Sequence, residues 1–203
     1  MLENISDLYD LEGDVLLDVP GCLSITIQRA LTRVCRELIY KSNIWQEDLP
    51  ILDVVLKQTD YAISIPYNAT IKNLTDIKVK QSIVQDFNNL RSTPQRYYDY
   101  IPENILRYKS EAVAPQQSMA LGMRLSAILI PNFNSNAIPK WIFERYAEGF
   151  IAGAKAQLMV SPKKPYSNGD LAVFNQNKYN EFLTRACNDA ERRFQPQTTS
   201  IGA

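Results

Sequence analysis

The hydrophobic period changes twice along this chain, and no other feature narrows the available folds as much. Between positions 27 and 39 the apolar residues stand at 27, 30, 31, 34, 35, 38 and 39, with a polar residue at every position between. Spacings of three and four line one face of an α-helix, and a strand cannot carry them. The spacing predicts a helix over 24–41, introduced by the turn Val19-Pro20-Gly21 and capped by Ser24. Cys35 falls inside the stripe and reads as a small hydrophobe, with Trp45 and Leu49 as cover for the same core. Alternation then replaces helical spacing. Residues 51–56 and 61–65 read as two strands of a hairpin joined by the polar 57–60, and Ile77 and Val79 as part of a strand with one wet face. Residues 81–118 read as a long loop carrying short strands, one at 105–108, and 119–130 as a buried strand stopped by Pro131-Asn132.

Helical spacing returns at Ile138, with Pro139 in the first turn and Trp141, Ile142, Phe150, Ile151, Ala154 and Leu158 on one apolar face to about residue 160. Gly149 and Gly153 stand four apart there. Each costs a helix interior about 1 kcal/mol relative to alanine, so close approach by a neighbouring element is the simplest compensation. After a proline-bounded connection at 161–165, Asn168 or Asp170 caps a last helix. Its expected stripe is Leu171, Phe174, Phe182, Leu183, Ala186, Ala190 and Phe194, with Cys187 at the border. The expected fold is α+β in a single domain, 1–203. Helices in 20–50 and 138–194 form a helical bundle. A central antiparallel β-sheet or sandwich-like insertion occupies 51–131, after an acidic, irregular lead-in. The tail, 195–203, is polar, unpatterned and expected to be mobile.

Composition removes whole classes of chemistry. There is no histidine, so Ser-His-Asp and Cys-His catalysis, histidine-ligated zinc and imidazole proton shuttling are excluded. Cys22, Cys35 and Cys187 are odd in number and far apart, which fits reduced thiols in a cytosol-like compartment. Lys plus Arg and Asp plus Glu each total 22, leaving no bulk field to hold nucleic acid or anionic lipid. The acidic start and the lack of a long apolar run lead us to expect neither a signal peptide nor a membrane span. No phosphate loop, dinucleotide fingerprint, nucleophile elbow or Ca²⁺ loop occurs, and no cofactor or metal is expected. The carboxylates Glu47 with Asp48, Asp99 with Glu103, Glu144 with Glu148, and Asp189 with Glu191 are the only acid–base candidates, and solvated charge explains them. Lys163 and Lys164 fall far short of a nucleic-acid footprint. Tyr97, Tyr98 and Tyr100 beside Arg96 share the composition of a base-stacking platform, although a half-buried anchor or a subunit contact is the simpler reading.

Taken in order, the segments resemble the head-to-tail adaptor (neck, or connector) proteins of podovirus-like tailed bacteriophages. The N-terminal resemblance lies in Val19-Pro20-Gly21-Cys22, the helix through Ala30, Cys35 and Leu38, then Ile44-Trp45-Gln46-Glu47-Asp48-Leu49-Pro50 and Tyr61-Ala62-Ile63. The C-terminal resemblance lies in Ala137-Ile138-Pro139, Tyr146 through Gly153-Ala154-Lys155-Ala156-Gln157-Leu158-Met159, Pro162-Lys163-Lys164-Pro165-Tyr166-Ser167-Asn168, Leu171-Ala172 and Phe182. Family members often carry Trp where Tyr166 stands. The resemblance implies a non-enzymatic virion protein at the portal vertex, assembled in the host cytoplasm. Its subunits would form a ring, expected to be dodecameric, that docks under the portal protein and bears a nozzle or tail-tube protein. Double-stranded DNA would pass through without sequence-specific binding, and no membrane is involved. Ring subunits need surfaces beyond their own core. The candidates are Gly149 and Gly153, the tyrosines at 97, 98 and 100, and the tail with Gln195, Pro196, Gln197 and Ile201, which would fold on the portal. Another neck or tail ring, such as a nozzle or tail-terminator protein, is the nearest alternative. A small carboxylate-dependent hydrolase and a nucleic-acid-binding module are alternatives from other classes.

Overall fold

The computed structural model describes residues 5–66, 68–102 and 104–194. In chain order its elements are β1 (Ile5–Asp7), α1 (Glu12–Leu16), α2 (Ser24–Ser42), β2 (Gln46–Asp48), β3 (Leu52–Val54), β4 (Asp60–Ala62) and β5 (Ala69–Val79). There follow β6 (Tyr98–Ile101), β7 (Ile105–Tyr108), β8 (Met119–Pro131), β9 (Ala137–Pro139), α3 (Lys140–Met159) and α4 (Gly169–Phe194). Four α-helices and three antiparallel sheets make the fold mixed α+β, as the changes of period predict. The chain divides into two compact units, Met1–Trp45 with Pro131–Ala203, and Gln46–Ile130.

In the first unit α2 forms where its spacing predicts. All seven stripe residues, Ile27, Ala30, Leu31, Val34, Cys35, Leu38 and Ile39, are buried. The helix ends because Asn43 turns left-handed at φ 57°, which lets its N–H reach Ile39 O at 3.1 Å. Ser24 is not the cap. Leu23 holds that place with extended backbone and no side-chain bond, and the Ser24 hydroxyl accepts from Gln28 Nε2 at 3.1 Å instead. Gly21, at φ +80°, makes the preceding turn that a side chain would strain.

Two glycines set how closely the long helices meet. A Cβ on Gly149 would lie 2.7 Å from Phe182 Cβ, and one on Gly153 would lie 2.5 Å from Val34 Cγ1 and 2.9 Å from Tyr179 Cδ2. α3 therefore presses backbone-close against α4 and α2, which is the compensation that the glycine spacing predicts. The α4 stripe holds in part: Ala186, Ala190 and Phe182, which packs on Gly149, face inward as expected, but Leu171 and Phe174 do not. Ala172, Tyr179, Ala186 and Ala190 are buried, whereas Leu171 and Phe174 are 46% and 64% exposed; the side chain of Phe194 lies outside the described residues. The glycines of α3 leave room for the aromatic rings of Phe182 and Tyr179, and alanines fill the rest of the buried face of α4. Asn168 caps α4, its Oδ1 accepting from the Leu171 N–H at 3.1 Å.

Long-range pairing overrides two local expectations. The lead-in is ordered as β1, a 3-10 turn at Leu8–Leu11 and α1, with Leu8, Leu11, Val15 and Val19 buried. Pro139 precedes the helix rather than opening its first turn, because 137–139 pairs with 5–7 in the register Ser6↔Ile138. Helix α3 can begin only after that ladder ends.

In the second unit β8 is shared by β2, β3 and β5, while β4, β7 and β6 form a separate sheet. The expected hairpin of 51–56 and 61–65 does not form: β3 pairs with β8 and β4 with β7. Lys57, at φ 58°, turns the chain away, its N–H donating to Pro115 O and the Leu56 N–H to Ser118 Oγ, so the two runs join different sheets. Between β3 and β8 the register jumps from Leu52↔Met123 to Val54↔Met119. Gly122 sits in that bulge, where a Cβ would come within 2.9 Å of Val54 Cγ2. Leu49 belongs to this unit, where it is buried and its N–H donates to Leu125 O at 2.8 Å. Residues 81–118 are, as expected, largely irregular with short strands: β7 stands at the expected 105–108, joined by β6 and two 3-10 turns.

Adding a methyl at the helix contact overpacks it, at a cost of about 1–3 kcal/mol that outweighs or cancels the helix propensity gained. Gly149→Ala and Gly153→Ala should each lower the urea midpoint read by far-UV circular dichroism. Gly13→Ala, with nothing within 4 Å of the added carbon, should hold or raise it. Unchanged midpoints for both helix variants would show that the helices separate freely.

Candidate functional site

The acid–base candidates do not converge. Glu144 pairs with Lys140 at 3.6 Å, Glu148 with Lys178 at 3.0 Å and Asp99 with Lys109 at 3.4 Å. Asp48 accepts from the Ser126 hydroxyl at 2.5 Å, and Glu103 lies outside the described residues. Asp189 is the most elaborated, accepting from Tyr146 Oη at 2.7 Å and from the Arg145 guanidinium at 2.8 Å. Partial burial works to raise its carboxyl. The bonds from Tyr146 and Arg145, with the charges of Arg145 and Arg185, outweigh that and hold it below the ordinary carboxylate range. Tyr146, fully buried between α3 and its neighbours, is pushed up to about 12 by burial and by the carboxylate it donates to. Glu12, through Ser24 and Gln28, and Asp60, through Arg107, are also displaced downward. A general acid needs the opposite displacement. Among the described residues no group of three or more His, Cys, Asp or Glu could hold a metal ion, and no helix is long and apolar enough to cross a membrane.

The three cysteines are free. Burial pushes the Cys35 thiol far up, which leaves it without a thiolate at neutral pH.

The tyrosine cluster splits by depth. Tyr98 is 6% exposed and belongs to the core of its sheet, at β6 rather than in a loop. Tyr100 is half-buried and donates to Asn104 Oδ1 at 2.8 Å. Tyr97 is half-buried too, its hydroxyl accepting from Arg96, whose guanidinium lies 4.9 Å from the ring centre. Tyr98 is thereby corrected from a contact residue to a core residue. Gly149 and Gly153 are corrected likewise: both are buried, and side chains of α4 and α2 from the same chain occupy the space in front of them. Gln195, Pro196, Gln197 and Ile201 lie outside the described residues.

The surfaces that stand out instead are ones that the stripe analysis passed over. The face of α2 opposite its stripe presents Ile25, Arg29, Arg33, Arg36 and Tyr40, and borders a groove of 1340 Å³. Phe133, Val160 and Ile25 supply exposed apolar surface there, at 75%, 69% and 52%. The Arg36 guanidinium lies 5.5 Å from the Phe133 ring centre, and its Nε is buried with no hydrogen-bond partner. Among the described residues none of these arginines makes an ion pair. Three arginines on one helix face were the available signal, but in a stripe analysis they count only as the polar complement. In the second unit Ile83 and Val84 are 85% and 92% exposed at a turn that Gln85 Oε1 braces by accepting from the Gln81 and Ser82 N–H groups. An apolar pair isolated in a polar stretch was its signal.

No protein-family model matches the chain, and no curated protein matches it in sequence.

The depressed Asp189 carboxyl gives a pH dependence of known sign. A group whose folded pKa lies below its unfolded value, near 3.9 for Asp, adds stability above that value and loses it as pH falls through the folded pKa. Asp189→Asn should therefore be less stable than wild type at pH 7, and the gap between their urea midpoints should narrow below about pH 4. A gap constant from pH 7 to pH 3 would place the effect elsewhere.

Proposed function

We propose that this chain is a structural subunit of a bacteriophage neck, a head-to-tail adaptor that forms a ring, docks under the portal, prolongs the DNA channel and carries the tail. In this reading the helical unit is a bundle that builds the ring, with the β unit as a sandwich-like insertion, and no bond is made or broken. One observation carries it: the helical unit exposes large apolar side chains at the ends of its helices, in a connecting loop and on α4. Leu17 is 80% exposed, Leu23 70%, Phe133 75%, Val160 69% and Phe174 64%. A lone soluble subunit gains nothing from such a surface and risks aggregation. A ring subunit covers it, because each copy meets one neighbour with one face and a second neighbour with another.

The order of sequence segments from Val19 to Phe182 supports the family assignment. The balance of 22 basic and 22 acidic residues suits a channel that passes DNA without holding it. The ring would be dodecameric, with the portal on one side and a nozzle or tail-tube protein on the other. For the tail-side contact, Ile83 and Val84 are better placed than Tyr98, whose ring is already used internally. The hydrolase alternative has little to stand on, since the displaced carboxylates are displaced downward. A nozzle or tail-terminator ring would use the same kinds of surface.

Electron microscopy of the full chain mixed with portal rings of the same phage, and of purified particles, tests this. An annular layer of this protein directly beneath the portal is the expected result. A ring at the far end of the tail would assign it to the nozzle class. Absence from particles, with no annular assembly on portal or at high concentration, would overturn the structural reading altogether.

A further inference from the structure

The acidic and basic residues at the start of this chain are segregated. Asp7, Asp10, Glu12, Asp14 and Asp18 all precede the first basic side chain, Arg29. The segment 8–19 is amphipathic, with Leu8, Leu11, Val15 and Val19 buried. Opposite them Asp10, Asp14 and Leu17, at i, i+4 and i+7, face outward. The neighbouring acids are already engaged: Asp7 accepts from the Tyr9 N–H, Glu12 accepts from Gln28 and Asp18 pairs with Lys155 at 2.6 Å. Asp10 and Asp14 make no ion pair among the described residues, and Leu17 is left 80% exposed.

A surface of complementary character lies on α2. Arg29, Arg33 and Arg36 stand at the same i, i+4, i+7 spacing, also without ion pairs among the described residues, beside the apolar Ile25, Phe133 and Val160. We propose that the Arg29–Arg33–Arg36 face of α2 is the socket in which a second copy of this chain seats its Asp10–Asp14–Leu17 face. This rests on the ring reading above and names the contact that builds the ring. Residues four apart on a helix are about 6 Å apart along its axis, so two carboxylates on one copy match two guanidiniums on the next. Leu17 then covers apolar surface beside Phe133. The Arg36 guanidinium, 5.5 Å from the Phe133 ring centre, extends the same positive surface toward the apolar patch. Plug and socket are different surfaces of one chain, so each copy can seat its plug in one neighbour and receive the plug of another; with a closing rotation that head-to-tail contact makes the ring of the reading above.

Charge exchange tests it with the full chain. A socket variant (Arg29→Glu with Arg33→Glu) and a plug variant (Asp10→Arg with Asp14→Arg) each juxtapose like charges and should weaken self-association at least tenfold. Association is read by sedimentation velocity, or as rings on portal in electron micrographs. Each variant should keep the wild-type circular dichroism spectrum. An equimolar mixture of the two should assemble again, because every junction in an alternating ring then pairs opposite charges; a merely misfolded variant would not be rescued. Rings from either variant alone, or folded variants that fail to assemble when mixed, would overturn the socket and leave the ring reading standing. Normal assembly by a socket variant that has lost affinity for a 30-base-pair DNA duplex would make the groove a nucleic-acid site instead. Wild-type chain that never assembles, alone or on portal, would overturn both.

Discussion

The contact on which the rest depends is the near-touching of α3 with α4 and α2 at Gly149 and Gly153. With no side chain at those two positions, Phe182, Tyr179 and Val34 pack directly against the α3 backbone. On α4 that proximity goes with the burial of Ala172, Tyr179, Ala186 and Ala190, while Leu171, Val173 and Phe174 face outward. It also brings Asp189 of α4 within hydrogen-bond distance of Tyr146 and Arg145 of α3, so that a carboxylate fastens the same pair of helices. The neighbouring α2 spends its whole apolar stripe inward and is left with an outer face of arginines.

The exposed apolar residues follow from this arrangement. The glycine contact takes Phe182, Tyr179 and Val34 inward, while other large apolar residues of the same unit stay outside. Leu17, Phe133, Val160 and Phe174 are exposed at separate places in the same unit: beyond the end of α1, in the loop after β8, beyond the end of α3, and on α4. Such a subunit leaves apolar surface uncovered when alone, and the proposed ring would cover it. That is the physical content of the neck-ring reading, which asks for matched surfaces instead of a cleft with poised acids and bases.

How much was legible varied with the range of the forces involved. The α2 stripe, its span of about 24–41, a cap at Asn168 or Asp170 and the glycine contact were all readable, because each depends on residues within about a turn of one another or on the absence of a side chain. The hairpin of 51–56 with 61–65 was misread. Both runs do contain strands, but Pro115 and Ser118, far along the chain, hold the intervening turn and send them to different sheets. Pro139 was misread for the same reason, since β1 draws 137–139 into a ladder. The tyrosines show the limit at a single strand: Tyr98 and Tyr100 share a face, yet one is in the core and the other half-exposed.

By itself the sequence determined the α+β class, the place of the long helices, the exclusion of histidine chemistry and the need for a close approach at 149 and 153. These are local matters of period, composition and side-chain volume, and they hold whatever the chain packs against. Tertiary structure alone decided which of two adjacent α4 stripes is buried, which strands pair, and which arginines and leucines remain uncovered. Those outcomes depend on contacts between residues tens of positions apart, and no pattern confined to one segment can encode them.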